Sequence, residues 1–419
     1  MSESVVVLNP FLRTAISGDS ASAGAFGRLR VGNPETLWDS QFQYGKCPTL
    51  WDEVVQGASS VGTHLPNESS IEFTVDTGAT DYVVRQTRNY LRYKPGKSQL
   101  LFVTGVLDQQ ADQYRRMGLF DDQNGVFVET DGTTVNMVIR SYTSGGVLEN
   151  RIPQASWNLN VLDGTVGPAL DITKAQIFVM DLEWLGVGRV RVGFVIDGQI
   201  IYVHQFLHAN VIDSVYMTTA NLPIRYEMRN YGAQGAVTNG YKQICSTLIS
   251  EGGESTTAPD SIRAAATDVT TPLTVPDTGL VPAISVRLAP TFMGITNRGL
   301  IQPLGLDILV VATKNIYWEL QVNPTLAGDT VWTQPDSESI AQYNIDATGI
   351  SSSGRVIASG FAQGANQSKG FAPFALTPKV RLARSFDAST SDIATLAVRS
   401  LDNPSSDVFA SLQWIEFAC

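Results

Sequence analysis

The chain has 419 residues, 43% hydrophobic and 16% charged, with a formal net charge of −11. So little charge excludes a disordered chain, the acidic balance argues against nucleic acid as a partner, and no apolar run approaches the ~20 residues that cross a bilayer. Only three cysteines occur, Cys47, Cys245 and Cys419, widely separated. Neither a disulfide framework nor a zinc cluster is therefore expected, and the thiols are read as free in a reducing cytoplasm.

Residues 1–66 are rich in Gly, Ser, Ala and Asn, with aromatic residues at Phe26, Trp38, Phe42, Tyr44 and Trp51. They read as an extended arm that docks by its aromatics, or alternatively as a first strand and loops of the next domain. Met1 to Pro10 lacks the basic start and apolar stretch of a signal peptide.

From 67 to 250 strand signals follow one another. Ile71, Phe73 and Val75 alternate with polar neighbours, and Leu100 to Val106 reads as a strand buried on both faces. Val135, Met137 and Ile139 form one face, as do Phe178, Met180, Leu182 and Trp184, and Ile224, Tyr226 and Met228. Turn dipeptides separate these runs, among them Asn124-Gly125, Asp131-Gly132 and Asp197-Gly198.

The clearest unit is Gly188 to Phe206, two alternating runs around Asp197-Gly198, which suits a type I′ hairpin. Pairing outward from the turn sets Phe194 opposite Ile201 and Val192 opposite Val203 as a core face. The other face then carries Arg191 against His204, Gly193 against Tyr202 and Arg189 against Phe206, which predicts a second contact surface.

Residues 251–282 shift to Gly, Thr and Pro and read as a linker. From 283 to 419 alternation resumes, through Ile284-Val286-Leu288 to a final strand around Trp414 and Phe417. No helical period competes. The expected fold class is all-β, two antiparallel β-sandwich domains (jelly-roll or concanavalin-like) after an N-terminal arm, with boundaries 1–66, 67–250, 251–282 and 283–419.

Chemistry-bearing patterns are sparse. His204 and His208 lie four apart without the Glu of a zinc motif and read as structural. The turn 121–125 (Asp-Asp-Gln-Asn-Gly) lacks the spaced carboxylates of a calcium loop, so it reads as a hairpin turn rather than a metal site. Asp181 and Glu183, two apart on one strand, could suit the carboxylate spacing of a retaining glycosidase, but they read first as a solvated outer face of an antiparallel sheet. No nucleophile elbow or phosphate loop is present. Trp157, Trp184, Tyr202 and Trp332 are aromatics that either stack on sugars or fill cores.

Six passages read as follows: 24–31 (Gly-Ala-Phe-Gly-Arg-Leu-Arg-Val), 124–132 (Asn-Gly-Val-Phe-Val-Glu-Thr-Asp-Gly), 174–198 (opening Lys-Ala-Gln-Ile-Phe, closing Gly-Phe-Val-Ile-Asp-Gly), 222–227 (Leu-Pro-Ile-Arg-Tyr-Glu), 242–253 (opening Lys-Gln-Ile-Cys-Ser-Thr, closing Glu-Gly-Gly) and 318–326 (Trp-Glu-Leu-Gln-Val-Asn-Pro-Thr-Leu). Together they resemble β-rich structural proteins of marine and cyanobacterial tailed phages, which have relatives in some large DNA viruses. The resemblance implies a virion component on head, neck or tail, assembled in the host cytoplasm, and it brings no catalytic residues.

The leading expectation is thus a non-enzymatic virion structural protein without cofactor, metal, membrane or nucleic-acid partner. It assembles with itself, a trimer favoured, and with other virion proteins. Phe26, Trp38 and Trp51 are the expected anchors, Arg28 and Arg30 the pairing groups for a partner's acids, and Arg191, Tyr202, His204 and Phe206 the hairpin's second contact face. The alternative is a carbohydrate-binding receptor-recognition module of a phage tail that reads host glycan. A tail-associated depolymerase using Asp181 and Glu183 is the third reading.

Overall fold

The computed structural model describes residues 4–9, 12–17, 23–30, 32–165, 167–252, 261–328, 330–364 and 380–417, in two compact units, 1–256 and 257–419. Both are all-β and antiparallel, as the alternation predicts.

The strands of unit 1 are β1 (Ser4–Asn9), β2 (Leu12–Ser17), β3 (Glu35–Gln41), β4 (Trp51–Gln56), β5 (Val61–Leu65), β6 (Ser70–Val75), β7 (Tyr82–Thr87), β8 (Gln99–Val106), β9 (Gln113–Phe120), β10 (Gly125–Asp131), β11 (Thr134–Ser141), β12 (Leu148–Pro153), β13 (Gln176–Leu182), β14 (Val190–Ile196), β15 (Gln199–Phe206), β16 (Ile224–Asn230) and β17 (Thr238–Ser250). One sheet has seven strands in the order β12-β11-β10-β9-β16-β7-β4; the other has the order β15-β14-β13-β8-β17-β6-β5, with β3 also on β17. Their inner faces make one core. Leu101, Val103, Phe178, Met180, Val192 and Phe194 come from one side, and Met117, Leu119, Val126, Val128, Met137 and Tyr226 from the other. Full burial of each such side chain contributes roughly 1.5–3 kcal/mol.

Four sequence expectations change here. Residues 35–65 are not an arm, because β3, β4 and β5 are strands of the two sheets. Trp38 and Trp51 accordingly meet edge-on at 5.7 Å inside the core, where alternation along β3 and β4 points them. Leu100–Val106 alternates rather than being buried throughout, with Leu101 and Val103 in the core and Leu100, Phe102 and Val106 half-buried outside.

The fourth concerns the hairpin. Asp197 and Gly198 take the positive φ of 52° and 74° that a type I′ turn requires. The register holds from Ile196↔Gln199 to Gly193↔Tyr202, then slips by one residue, giving Val192↔His204, Arg191↔Gln205 and Val190↔Phe206. A bulge at Val203 causes the slip, and it moves Phe206 to the core side, beside Val203. Glycine is required at 193, since a Cβ there would sit 2.1 Å from the Ile201 carbonyl oxygen.

The strands of unit 2 are β18 (Ser261–Ala266), β19 (Leu273–Pro276), β20 (Val281–Leu288), β21 (Thr291–Phe292), β22 (Ile295–Thr296), β23 (Leu300–Val310), β24 (Asn315–Val322), β25 (Thr325–Ala327), β26 (Ala341–Asn344), β27 (Gly349–Ser352), β28 (Arg355–Gln363), β29 (Ile393–Ser400) and β30 (Ser405–Phe417). A five-stranded sheet, β26-β20-β29-β24-β28, faces a smaller one in which β30 pairs with β18, β19 and β23. Ile284, Val286, Trp318, Leu320, Leu396, Leu412 and Trp414 fill the core between them. Of the residues expected as linker, 261–266 and 273–276 are strands because they pair with β30; 253–260 lie outside the described residues.

Candidate functional site

Of the expected contact residues, Arg28, Arg30, Arg191 and Tyr202 meet on the outer face of the eight-stranded sheet around Asp181 and Glu183, whereas Trp38, Trp51, His204 and Phe206 lie on the core side. Asp181 and Arg191 are cross-strand neighbours on β13 and β14, and residues 23–30 run over them. Arg30 reaches Asp181 at 2.6 Å and Glu251 at 3.0 Å, Arg28 reaches Glu183 at 2.8 Å, and the Ala25 N–H donates to Ser98 Oγ at 3.0 Å. Arg191 donates to Asp181 and to the Ala23 and Gly24 carbonyls. Burial, then the Asp181 carboxylate, pushes Tyr202 up to about 12.

Arg28 and Arg30 are therefore paired within the chain instead of awaiting a partner's acids. Asp181 and Glu183 are buried beneath them, neither on a solvated face nor open to substrate. The reason is local: the Gly24–Gly27 turn folds 23–30 back onto the sheet. Of the nine expected contact residues only Phe26 and Arg28 are exposed; Trp38, Trp51, Arg191, Tyr202, His204 and Phe206 are buried and Arg30 is nearly so.

The histidines are also committed. Asn158 N–H meets His204 Nδ1 at 3.3 Å, while His208 Nδ1 lies 2.8 Å from the Gly188 carbonyl and its ring stacks on Tyr216 at 3.9 Å. In the 121–125 turn Asp121 Oδ1 accepts the Gln123 and Asn124 N–H groups at 2.8 Å, and Asp122 pairs with Arg225. Among the described residues no group of His, Cys, Asp and Glu is arranged to hold a metal, and Cys47 and Cys245 are free thiols. Cys419 lies outside the described residues.

The outer face of the seven-stranded sheet is organised differently. Ladder register places its outward side chains in rows across the strands. One row reads Thr134, Asp131, Tyr114, Arg229, Tyr82 and Gln56, from β11 to β4. The next reads Asn136, Glu129, Arg116, Glu227, Val84 and Val54, and the third Arg151, Val138, Phe127, Gly118, Arg225, Gln86 and Asp52.

The second row alternates in charge, and it is closed. Arg116 bonds Glu129 at 2.7 Å and Glu227 at 2.9 Å; Arg151 bonds Glu129 at 2.8 Å; Arg229 bonds Glu227 at 3.1 Å. Glu129, Glu227, Arg116 and Arg225 are all buried. Gly118 leaves room for the paired rings of Phe120 and Phe127, 4.4 Å apart, over which Arg116, Arg140 and Arg225 lie. Burial raises the Glu227 pKa, but the charges of Arg116, Arg225 and Arg229 outweigh it and hold the carboxyl below the ordinary range. A carboxylate so held is a poor proton donor, whereas glycoside hydrolysis needs one whose pKa is raised.

The first row is open. Tyr82, Tyr114, Arg229, Asp131 and Thr134 are half-buried and Gln56 is exposed. Arg229 lies over the Tyr82 ring at 4.3 Å, and Tyr231, 43% exposed, tilts against Tyr114 at 4.4 Å and donates to Asp131 at 2.8 Å. Three planar guanidiniums thus lie over tyrosine rings at one end of a polar sheet face, Arg229 over Tyr82 and Arg116 and Arg151 over Tyr114. The alternation of Ile224-Tyr226-Met228 with Arg225-Glu227-Arg229 is visible in the sequence, but which residues of other strands share its row depends on long-range register.

No protein-family model matches the chain, and no curated protein matches it. Solved structures similar to it include a legume lectin-like domain from Entamoeba histolytica (7% identity, 50% of this chain and 95% of that one, TM-score 0.29). A glycosyl hydrolase family 16 protein from Mycobacterium smegmatis is similar at 8% identity, 52% and 99% coverage and TM-score 0.33. The CBM2 module of the evolved Dit of Lactobacillus casei phage J-1 is similar at 6% identity, 52% and 95% coverage and TM-score 0.30. At these identities and scores no chemistry carries over to this chain.

Proposed function

We propose that unit 1 is a non-catalytic saccharide-binding sandwich whose site is the open row Gln56, Tyr82, Arg229, Tyr114 and Asp131. The carrying observation is that this row presents aromatic rings and planar hydrogen-bonding groups together, while the carboxylates of the rows behind it are bound to guanidiniums. Ring faces take the apolar face of a sugar, and amide, guanidinium and carboxylate groups take its hydroxyls. Such a site binds without supplying a free acid–base pair.

The resemblance of the six passages to tailed-phage structural proteins supports placing this recognition on a virion surface. A glycan array followed by calorimetry tests the reading: Tyr82→Ala with Tyr114→Ala is expected to weaken binding by about tenfold or more while the circular dichroism spectrum is unchanged. Binding indifferent to both substitutions, or release of reducing ends from the bound glycan, removes the proposal.

Assembly is a second reading, favoured by the half-buried Leu100, Phe102, Val106, Val195 and Ile200 on the outer face of the eight-stranded sheet. Phe102→Lys is expected to lower the mass in solution if that face pairs copies. An unchanged mass at high concentration counts against it.

A further inference from the structure

Unit 2 carries arginines of a different kind. Arg287 stands on the outer face of the five-stranded sheet, opposite Gln342 of β26. Its Nε and Nη2 donate to Gln342 Oε1 at 3.2 and 3.1 Å, and its guanidinium lies over the half-buried Trp332 ring at 4.0 Å. Nη1 has no partner among the described residues. Arg384, 6% exposed, donates to the Leu288 carbonyl at 3.3 Å and to the Ala388 carbonyl. Arg298 bonds the Ser385 and Phe386 carbonyls, each at 2.7 Å.

Among the described residues no carboxylate lies within ion-pair distance of Arg287 or Arg384. The nearby Asp387 turns aside: its Oδ1 takes the Ser385 hydroxyl at 2.7 Å and the Ser389 N–H at 3.0 Å. Burial, then the charge of Arg384, pulls the Arg287 pKa down; burial, then the charge of Arg298, does the same to Arg384 against the smaller opposing charge of Asp387. In a chain of net charge −11 acidic residues outnumber basic ones, so guanidiniums answered only by carbonyl and carboxamide oxygens stand out. A half-buried guanidinium backed by a buried one leaves a positive field that an anion satisfies.

We infer that Arg287, Gln342 and Trp332, backed by Arg384, form a binding site for an acidic saccharide, with the carboxylate or sulfate of the sugar against Arg287. The free Nη1 of Arg287 meets the anion, Arg384 adds its charge from behind while its own donors stay on the Leu288 and Ala388 carbonyls, and Gln342 Nε2 and the indole edge take the sugar hydroxyls and ring. The inference stands apart from the tyrosine row of unit 1, because it uses other residues and another ligand charge.

The experiment titrates the full chain with tetragalacturonate, its neutral methyl ester, a sulfated galactan tetrasaccharide and sodium sulfate, read by calorimetry and tryptophan fluorescence. An acidic oligosaccharide is expected to bind and the neutral ester not. Arg287→Gln should weaken binding by about tenfold or more, Trp332→Phe should abolish the fluorescence change, and Tyr82→Ala with Tyr114→Ala should leave both intact. Gln342→Ala, a milder change on the same strand pair, should weaken binding without disturbing the fold. Equal binding of the neutral ester overturns the inference, as do undiminished affinity in folded Arg287→Gln and Gln342→Ala, or no binding of any probe. Sodium sulfate binding as tightly as either acidic oligosaccharide overturns the saccharide assignment.

Discussion

The outer face of the seven-stranded sheet in unit 1 and that of the five-stranded sheet in unit 2 treat positive charge in opposite ways. In the first, Arg116, Arg140, Arg151, Arg225 and Arg229 each meet a carboxylate at 3.1 Å or less. In the second, Arg287 and Arg384 meet only uncharged oxygens. Guanidiniums of the first kind close a face and hold its strands in register; those of the second kind are available to something outside the chain. The same residue type is structural in one place and functional in the other, and the difference is the carboxylate beside it.

The most direct way to break the contrast is Glu227→Gln. It strips the shared carboxylate from Arg116, Arg225 and Arg229 while keeping shape. Removing one partner of a buried pair leaves uncompensated charge, so unit 1 should lose about 3–5 kcal/mol, read as a lowered urea midpoint. No change in midpoint means the pairs are incidental to the fold.

Asp181→Asn asks whether the other sheet of unit 1 depends on the same logic. Arg191 and Arg30 lose their shared carboxylate, although Arg30 keeps Glu251. The expected loss is smaller, about 3 kcal/mol, with faster proteolysis of residues 23–30 as the local sign. A protected segment in that variant shows that Arg28–Glu183 and the backbone bonds suffice.

Much of this was legible in the sequence. Period-two alternation in Val135-Met137-Ile139, Phe178-Met180-Leu182 and Ile284-Val286-Leu288 marks strands and assigns inner faces correctly, because the burial of one face enforces a period of two. The Asp197-Gly198 turn was legible because positive φ at both positions restricts the residue choice. The bulge at Val203 was not, since one extra residue leaves no local trace, and it reversed the faces assigned to His204 and Phe206. Residues 35–65 misled through their Gly and Ser content, and because β3 and β4 find their partners, β17 and β7, well beyond them in the chain. The tyrosine row was illegible for the same reason: its residues come from 56, 82, 114, 131, 134 and 229, and only sheet order sets them side by side.

Acid sharpens the comparison more gently. Glu227 is held below the ordinary carboxylate range by Arg116, Arg225 and Arg229 against the opposing effect of burial, and Glu149 by Arg140 and Arg116. A carboxylate whose folded pKa is depressed contributes stability that is present above its unfolded value and is lost as pH falls towards the folded one. With an unfolded value near ~4.3, Glu227 should contribute about 0.6 kcal/mol less at pH 4 than at pH 7, and progressively less below. The urea midpoint of unit 1 should fall over that window, and in Glu227→Gln the fall should be smaller by the share of Glu227, with that of Glu149 remaining.

The smallest expected effect separates the two units most clearly. Arg287→Gln removes a charge that no carboxylate answers, together with its stacking on Trp332, and it relieves repulsion from Arg384. Lost stacking and relieved repulsion oppose each other, so stability should stay within about 0.5 kcal/mol of the parent. Arg116→Gln should instead destabilise unit 1, because Glu129 and Glu227 are left buried beside a neutral amide. A group that can be removed at little cost to the fold, yet sits with its charge unanswered on an aromatic ring, is held there for something other than stability. If Arg287→Gln proves as damaging as Arg116→Gln, both arginines are structural and the distinction between the two faces fails.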